Sequence, residues 1–337
     1  MNNTRPIRAL AVAAALLGFP AAAQAADPVT LKFVFPAPPS DFEQVMLDWN
    51  ADIEKATDGA VKVQMFVGTA VANFANVIDR IQNNVVDIGF GIYGPYSRQV
   101  PRTFVVELPF ESEASTEAST ALWRMHAAGV TSVEYKGYKP LALFTFTGTS
   151  LHSTRRVAAA EDLKGLKIAA SGKIMADDLQ LFGGAPITLN PGDFYESLNR
   201  GVAHGVLVSW QGSQTFKLQD VARFHMDVPF GQFPAFVAMN ESSYARLPEK
   251  ARAAIDKFAG EPFSRRLGVE LDRSNKEAID AYKAMKGQEI VTLSPAELAK
   301  WRKILAPITA GWVKETPDGE RVLSVYRTEV QKVRSGS

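Results

Sequence analysis

The chain has 337 residues, a formal charge of +1 and no cysteine. The missing cysteines exclude disulfides, thiol nucleophiles and thiolate metal sites, and the lack of a basic tract argues against nucleic acid as a partner. A length of this order allows two domains and a core large enough to stand without covalent staples.

At the amino terminus Arg5 and Arg8 precede an apolar stretch from Ala9 to Phe19, then Pro20, then Ala23-Gln24-Ala25. A short basic segment, a short apolar helix and a small-x-small site form the pattern of a secretory signal peptide, so export to the periplasm with cleavage after Ala25 is expected. The apolar run falls well short of the ~20 residues that span a bilayer. Taking its two arginines from +1 leaves −1 for the rest of the chain.

Val29 to Phe35 alternates and ends at Pro36, which predicts a strand. Ser40 is placed to cap a helix whose apolar face is Phe42, Val45, Met46, Trp49 and Ile53, with Gly59 as its stop. Val61 to Val67 predicts a second strand. Val77, Ile78, Ile81 and Val85 predict a helix face, and Val85 to Phe90 a buried strand. This β-α-β-α-β order predicts a mostly parallel sheet covered by helices.

The pattern then restarts. Pro140 to Phe146, Leu151 to Ser153, Leu166 to Ala169, Ala185 to Thr188 and Gly205 to Val208 read as strands. Helices are expected over Ile174 to Leu181 and Asp193 to Asn199, and the strand Phe233 to Met239 is expected to complete this second unit. Leu247 to Met285 is nearly all helix-forming, and Pro295 to Val333 is helical with a break at Pro317-Asp318-Gly319. No low-complexity linker separates the halves, so a hinge crossed by two or more segments is expected.

Signals for catalysis are weak. The four histidines, His126, His152, His204 and His225, show no i, i+4 metal spacing. There is no P-loop, no G-x-S-x-G and no G-x-G-x-x-G; Gly89-Phe90-Gly91 lacks the third glycine. No catalytic residue, metal or cofactor is assigned. Binding without reaction is the leading reading; an exported hydrolase or lyase, or a ligand-sensing module on the same scaffold, is the alternative.

Several stretches together carry a resemblance. They are Leu31-Lys32-Phe33, the run from Ile81 to Phe90, Glu107-Leu108-Pro109-Phe110, the run from Glu161 to Ile168, and the run from Tyr195 to Gly205. The chain resembles the DctP-type substrate-binding subunits of TRAP (tripartite ATP-independent periplasmic) transporters over nearly all of residues 29 to 310. The resemblance implies an α/β, two-lobe periplasmic binding protein fold, with two mixed, mostly parallel sheets flanked by helices, hinge strands and a long bracing helix. Residues 1–25 would be the signal peptide, 26–147 the first part of lobe I and 148–237 lobe II. Residues 238–337 would supply the hinge return, the long helix and C-terminal helices completing lobe I. It further implies a small organic acid as ligand, delivered to the membrane permease subunits of a TRAP transporter; Trp210 beside apolar replacements points to an aromatic or partly apolar ligand body, and a monomer is expected.

The family's carboxylate-binding arginines fall here at Ala169 and Gly148, and its amide-bearing residue at Val208. A forked Arg–carboxylate contact has no substitute in alanine or glycine. Tyr93, beyond the third strand, is expected to touch ligand, while Tyr96 packs beneath its loop. Trp210 has two readings, a grip on a flat ligand body or core packing, with Gln211 beside it. Thr147, Thr149 and Ser150 offer hydroxyls, of which alternation lets about half face a cleft. Ser171 and Lys173 stand at a helix start that would favour an anion, with Lys173 also readable as a solvated surface lysine. Phe35, Asn73 and Phe74 belong to the mouth of the first lobe, and Phe233 is the member of the later phenylalanines expected at the site.

Overall fold

The computed structural model describes residue 1 and residues 28–336; the expected signal peptide lies outside the described residues, except Met1. From Val29 the chain alternates through β1 (Val29–Phe35), α1 (Asp41–Ala56), β2 (Val61–Val67), α2 (Val77–Gln82) and β3 (Ile88–Ile92). Helix α3 (Ser115–Ala127) leads to β4 (Lys139–Phe146) and, across a short link, to β5 (Ser150–Ser153). Then come β6 (Lys167–Ala169), α4 (Lys173–Leu181), β7 (Ala185–Ile187), α5 (Phe194–Asn199) and β8 (Gly205–Val208). Helix α6 (Trp210–Thr215), β9 (Phe224–Asp227) and β10 (Phe233–Met239) follow. The rest is helical but for one short strand: α7 (Glu241–Ala245), α8 (Glu249–Phe258), α9 (Glu261–Ala284), β11 (Glu289–Ile290), α10 (Pro295–Glu315) and α11 (Gly319–Arg334).

The strands form two sheets, ordered β2-β1-β3-β10-β4 and β11-β9-β5-β8-β6-β7. In the first, β1 pairs in parallel with β2 and β3, while β10 runs antiparallel between β3 and β4. In the second, β5 is antiparallel to both β8 and β9 and the remaining pairs are parallel. Both sheets are therefore mixed, as the resemblance implies.

The expected face of α1 is buried whole: Phe42, Val45, Met46, Trp49 and Ile53 are each 7% exposed or less. Glycines in β3 let α2 and β10 lie close, because a Cβ at Gly89 would meet Val77 at 2.8 Å and one at Gly91 would meet Phe236 at 2.4 Å. The Gly89-Phe90-Gly91 run thus serves helix packing on its sheet.

Three expectations are corrected. Phe233–Met239 does not complete the second unit; it is β10, between β3 and β4 of the first sheet, where Phe233 pairs with Phe146. Val85 is on neither a helix face nor a strand. The chain turns at Asn84, with φ of 56°, leaving Val85 exposed, and β3 begins at Ile88. Helix α10, expected with the first lobe, packs Trp301 and Leu305 into the second sheet's core with Phe182 and Phe230. Strands β9 and β11 and helix α6 were too short to read from periodicity.

The chain passes between the sheets after β4, after β9 and after α9. Helix α9, 24 residues long, lies against α3 and β4 of the first half and α6 of the second. Its Gly268 permits the approach to α3, since a Cβ there would meet the Thr116 backbone at 2.8 Å.

Candidate functional site

Where the two sheets face each other, they enclose a cavity of about 730 Å³ including its mouth. The first sheet and α1 supply a wall of phenylalanine. Phe35, Phe42, Phe74, Phe90, Phe146 and Phe233 all line the space. Phe90 is its centre: it stacks on Phe35 at 4.9 Å and meets Phe74 edge-on at 5.7 Å and 89°. Alternation explains the wall, because Phe90 and Ile92 of β3 turn to the cavity while Gly89, Gly91 and Tyr93 turn to the opposite face. The second half answers with Phe194 and Phe216, edge to face at 6.0 Å.

Polar groups are few. Thr147 and Thr149 on the link between β4 and β5, Ser171 before α4, and Ser209, Gln211 and Thr215 at α6 line the space. The Thr147 hydroxyl is buried with no hydrogen-bond partner. Thr149 donates to the Gly231 carbonyl at 3.4 Å, and Ser209 caps α6 by accepting from the Gly212 N–H at 3.1 Å. No charged side chain among the described residues lines the cavity.

Of the residues expected at a site, Phe35, Phe74, Thr147, Thr149, Ser171, Gln211 and Phe233 border this cavity. Others lie elsewhere, each for a local reason. Tyr93 is fully buried among Tyr135, Tyr138 and Phe236, its hydroxyl 3.4 Å from that of Tyr138, and burial pushes its pKa well up. Trp210 is on the far side of α6 from Gln211 and Thr215, which share one face at i, i+4 spacing. Its indole Nε1 donates to Asp227 at 2.5 Å and its ring packs edge-on to His152 and Tyr282. Ser150 turns away from its threonine neighbours and donates to the same Asp227 at 2.8 Å.

Lys173, the first residue of α4, points outward, pairing with Asp177 at 2.6 Å and with Glu315 at 3.7 Å, and its side chain is 65% exposed. Asn73 is exposed, its Oδ1 accepting from the Ala75 N–H, so it shapes the turn before α2. Sequence reasoning missed Phe42, Phe90, Phe146, Phe194 and Phe216 as cavity residues. The signal available was the phenylalanine content, 20 in the chain.

The junction beside Ser171 is tight. A Cβ at Gly94 would come within 2.2 Å of the Ser171 carbonyl oxygen, so only glycine lets the first half approach here. A Cβ at Gly172 would lie 3.0 Å from the Glu107 Oε1. Glu107 is fully buried without a hydrogen bond, and so is Asp178 further along α4. Burial pushes both carboxyl groups well up, and for Asp178 the charges of Glu107 and Asp177 push in the same direction.

Two mixed sheets joined by several crossings, with an apolar cavity between them, define a two-lobed solute-binding protein. Residues 36–316 match the DctP family, described as bacterial extracellular solute-binding protein, family 7. The chain belongs to that family. It is 25% identical over 334 residues to the outer membrane transporter protein TsaT of Comamonas testosteroni, covering 96% of this chain and 97% of that one. Two TRAP solute-binding protein structures, each 25% identical to this chain, share its fold. One, from a marine metagenome and specific for aromatic acid ligands, holds metahydroxyphenylacetate; its TM-score is 0.82, covering 90% of this chain and 99% of its own. The other, from Bordetella bronchiseptica with bound (R)- and (S)-mandelate, has a TM-score of 0.84, covering 91% and 100%. The family description and both structures are of solute-binding proteins.

Proposed function

We propose that this protein captures a small organic solute with a flat aromatic body and hands it to the membrane permease subunits of a TRAP-type secondary transporter. The observation that carries the reading is the cavity's lining: phenylalanines from both lobes around a narrow space, with a few hydroxyls and one amide. Aromatic rings contribute both buried area and edge-to-face contacts to such a ligand. The aromatic acids held by the metagenomic and Bordetella relatives support it. The protein acts without chemistry on the ligand and without a cofactor, in the periplasm after loss of residues 1–25. The lobes, residues 26–147 with β10, α7 to α9 and α11, and residues 148–232 with β11 and α10, close by bending at the crossings between the sheets.

The test is mass spectrometry of whatever co-purifies with the protein, followed by a thermal-shift screen of aromatic and aliphatic organic molecules. An aromatic ligand at a hundred times its dissociation constant should stabilise the protein by about 2.7 kcal/mol. A screen in which only aliphatic solutes bind would refute the aromatic reading. Loss of uptake of that ligand on deleting neighbouring permease genes would test the transport partnership.

A further inference from the structure

Given an aromatic ligand, we infer that its polar end is uncharged when bound: a hydroxyl, carbonyl or amide group, or a carboxylic acid that has taken up a proton. The inference rests on the reading above and concerns the same cavity.

No lysine, arginine or histidine among the described residues lines the space. The three positions to which the resemblance assigns head-group anchors do not restore one. Ala169 is fully buried in an apolar cluster with Phe194 and Val206, Gly148 faces the groove on the other side of the crossing, and Val208 adds only an apolar wall. The nearest helix-start cation, Lys173, is engaged outward by Asp177 and Glu315.

What the cavity does present is neutral and of both polarities. The Thr147 hydroxyl is unpartnered, and its residue is only 6% exposed. Thr149 spends its proton on Gly231, leaving an oxygen that accepts. Gln211 donates its amide to Thr215 at 3.0 Å, leaving its carbonyl oxygen to accept. A carboxylate is an acceptor only and cannot satisfy such oxygens, whereas an amide, phenol or protonated acid donates as well. A buried anion without a partner is costly. Glu107 packs against Gly172, the residue after Ser171, and Asp178 follows on α4; both carboxyl groups are buried without a hydrogen-bond partner. The helix start that could otherwise draw an anion thus already has the buried Glu107 carboxyl group beside it.

Titration calorimetry and thermal shift with benzamide, benzoate, phenylacetamide and phenylacetate test this directly. Each amide should bind at least about tenfold more tightly than its carboxylate partner near neutral pH. Amide affinity should stay level with pH, and any carboxylate affinity should rise about tenfold for each pH unit removed. Thr147→Val should weaken the amides about tenfold. Val208→Arg, which sets a guanidinium in the wall, should reverse the order. Carboxylates that bind as tightly as their amides, with level pH dependence, would overturn the inference and leave the aromatic reading standing. If none of the four binds, the aromatic reading fails and this inference fails with it. The wild-type series decides the matter even if a variant does not fold.

Discussion

Glu107→Gln should alter how stability depends on pH more than it alters stability itself. Glu107 is fully buried and neither carboxyl oxygen has a hydrogen-bond partner, so burial holds its pKa well above the ordinary range. In the unfolded chain the group ionises near pH ~4.3. Below that value both states keep the proton, and the raised pKa makes its full contribution to the fold. As pH rises towards the folded pKa, the unfolded chain gains a charge that the folded chain does not, and that contribution is lost. The loss runs at about 1.4 kcal/mol per pH unit across the window. Glutamine keeps the shape and does not titrate. From about pH 5 upward the variant should therefore gain steadily on the wild type, until the folded group ionises in its turn. Asp178, raised by its own burial and by the Glu107 charge, keeps a slope of its own, so the pH dependence should shrink without vanishing. Thermal unfolding of both proteins across that range gives the difference directly, and other titrating groups largely cancel in it. A difference that stays constant with pH, or one that moves against the variant as pH rises, would refute the reasoning.

Two further outcomes follow from buried polar groups of the second lobe. His225 donates its Nε2 proton to Gln288 at 2.7 Å, so its Nδ1 accepts from His152 Nδ1 at 2.8 Å, and burial lowers both pKa values. Depressed pKa values contribute stability above the unfolded value near ~6.5 that is lost as pH falls, so His152→Phe should flatten the acid limb of a Tm–pH profile; an unchanged limb would count against it. Trp210→Phe strips Asp227 of one donor and should cost about 1.5–3 kcal/mol in chemical denaturation, with affinity for an aromatic ligand nearly unchanged. A large affinity loss at unchanged stability would return Trp210 to the ligand site.

Local chemistry was enough to define much of this protein. Alternation in β1 and β2, the helical face of α1, the break at Asp318 with its φ of 55°, and the family resemblance were all legible in order along the chain. So was the want of a positive charge at Ala169 and Gly148 and of an amide at Val208, once the resemblance says what to look for there. Which side chains meet at the cavity was a tertiary decision. Tyr93 and Trp210 have the right chemistry for a ligand, but the faces they occupy on β3's extension and on α6 point into packed cores. Lys173 begins α4, yet carboxylates at Asp177 and Glu315 draw it outward. Phe233 and Phe146 meet only because β10 inserts beside β4, a pairing across more than eighty residues of sequence. Periodicity fixes the direction of a side chain relative to its own element. The partner on the other side of that element is set by topology, and no local pattern encodes it.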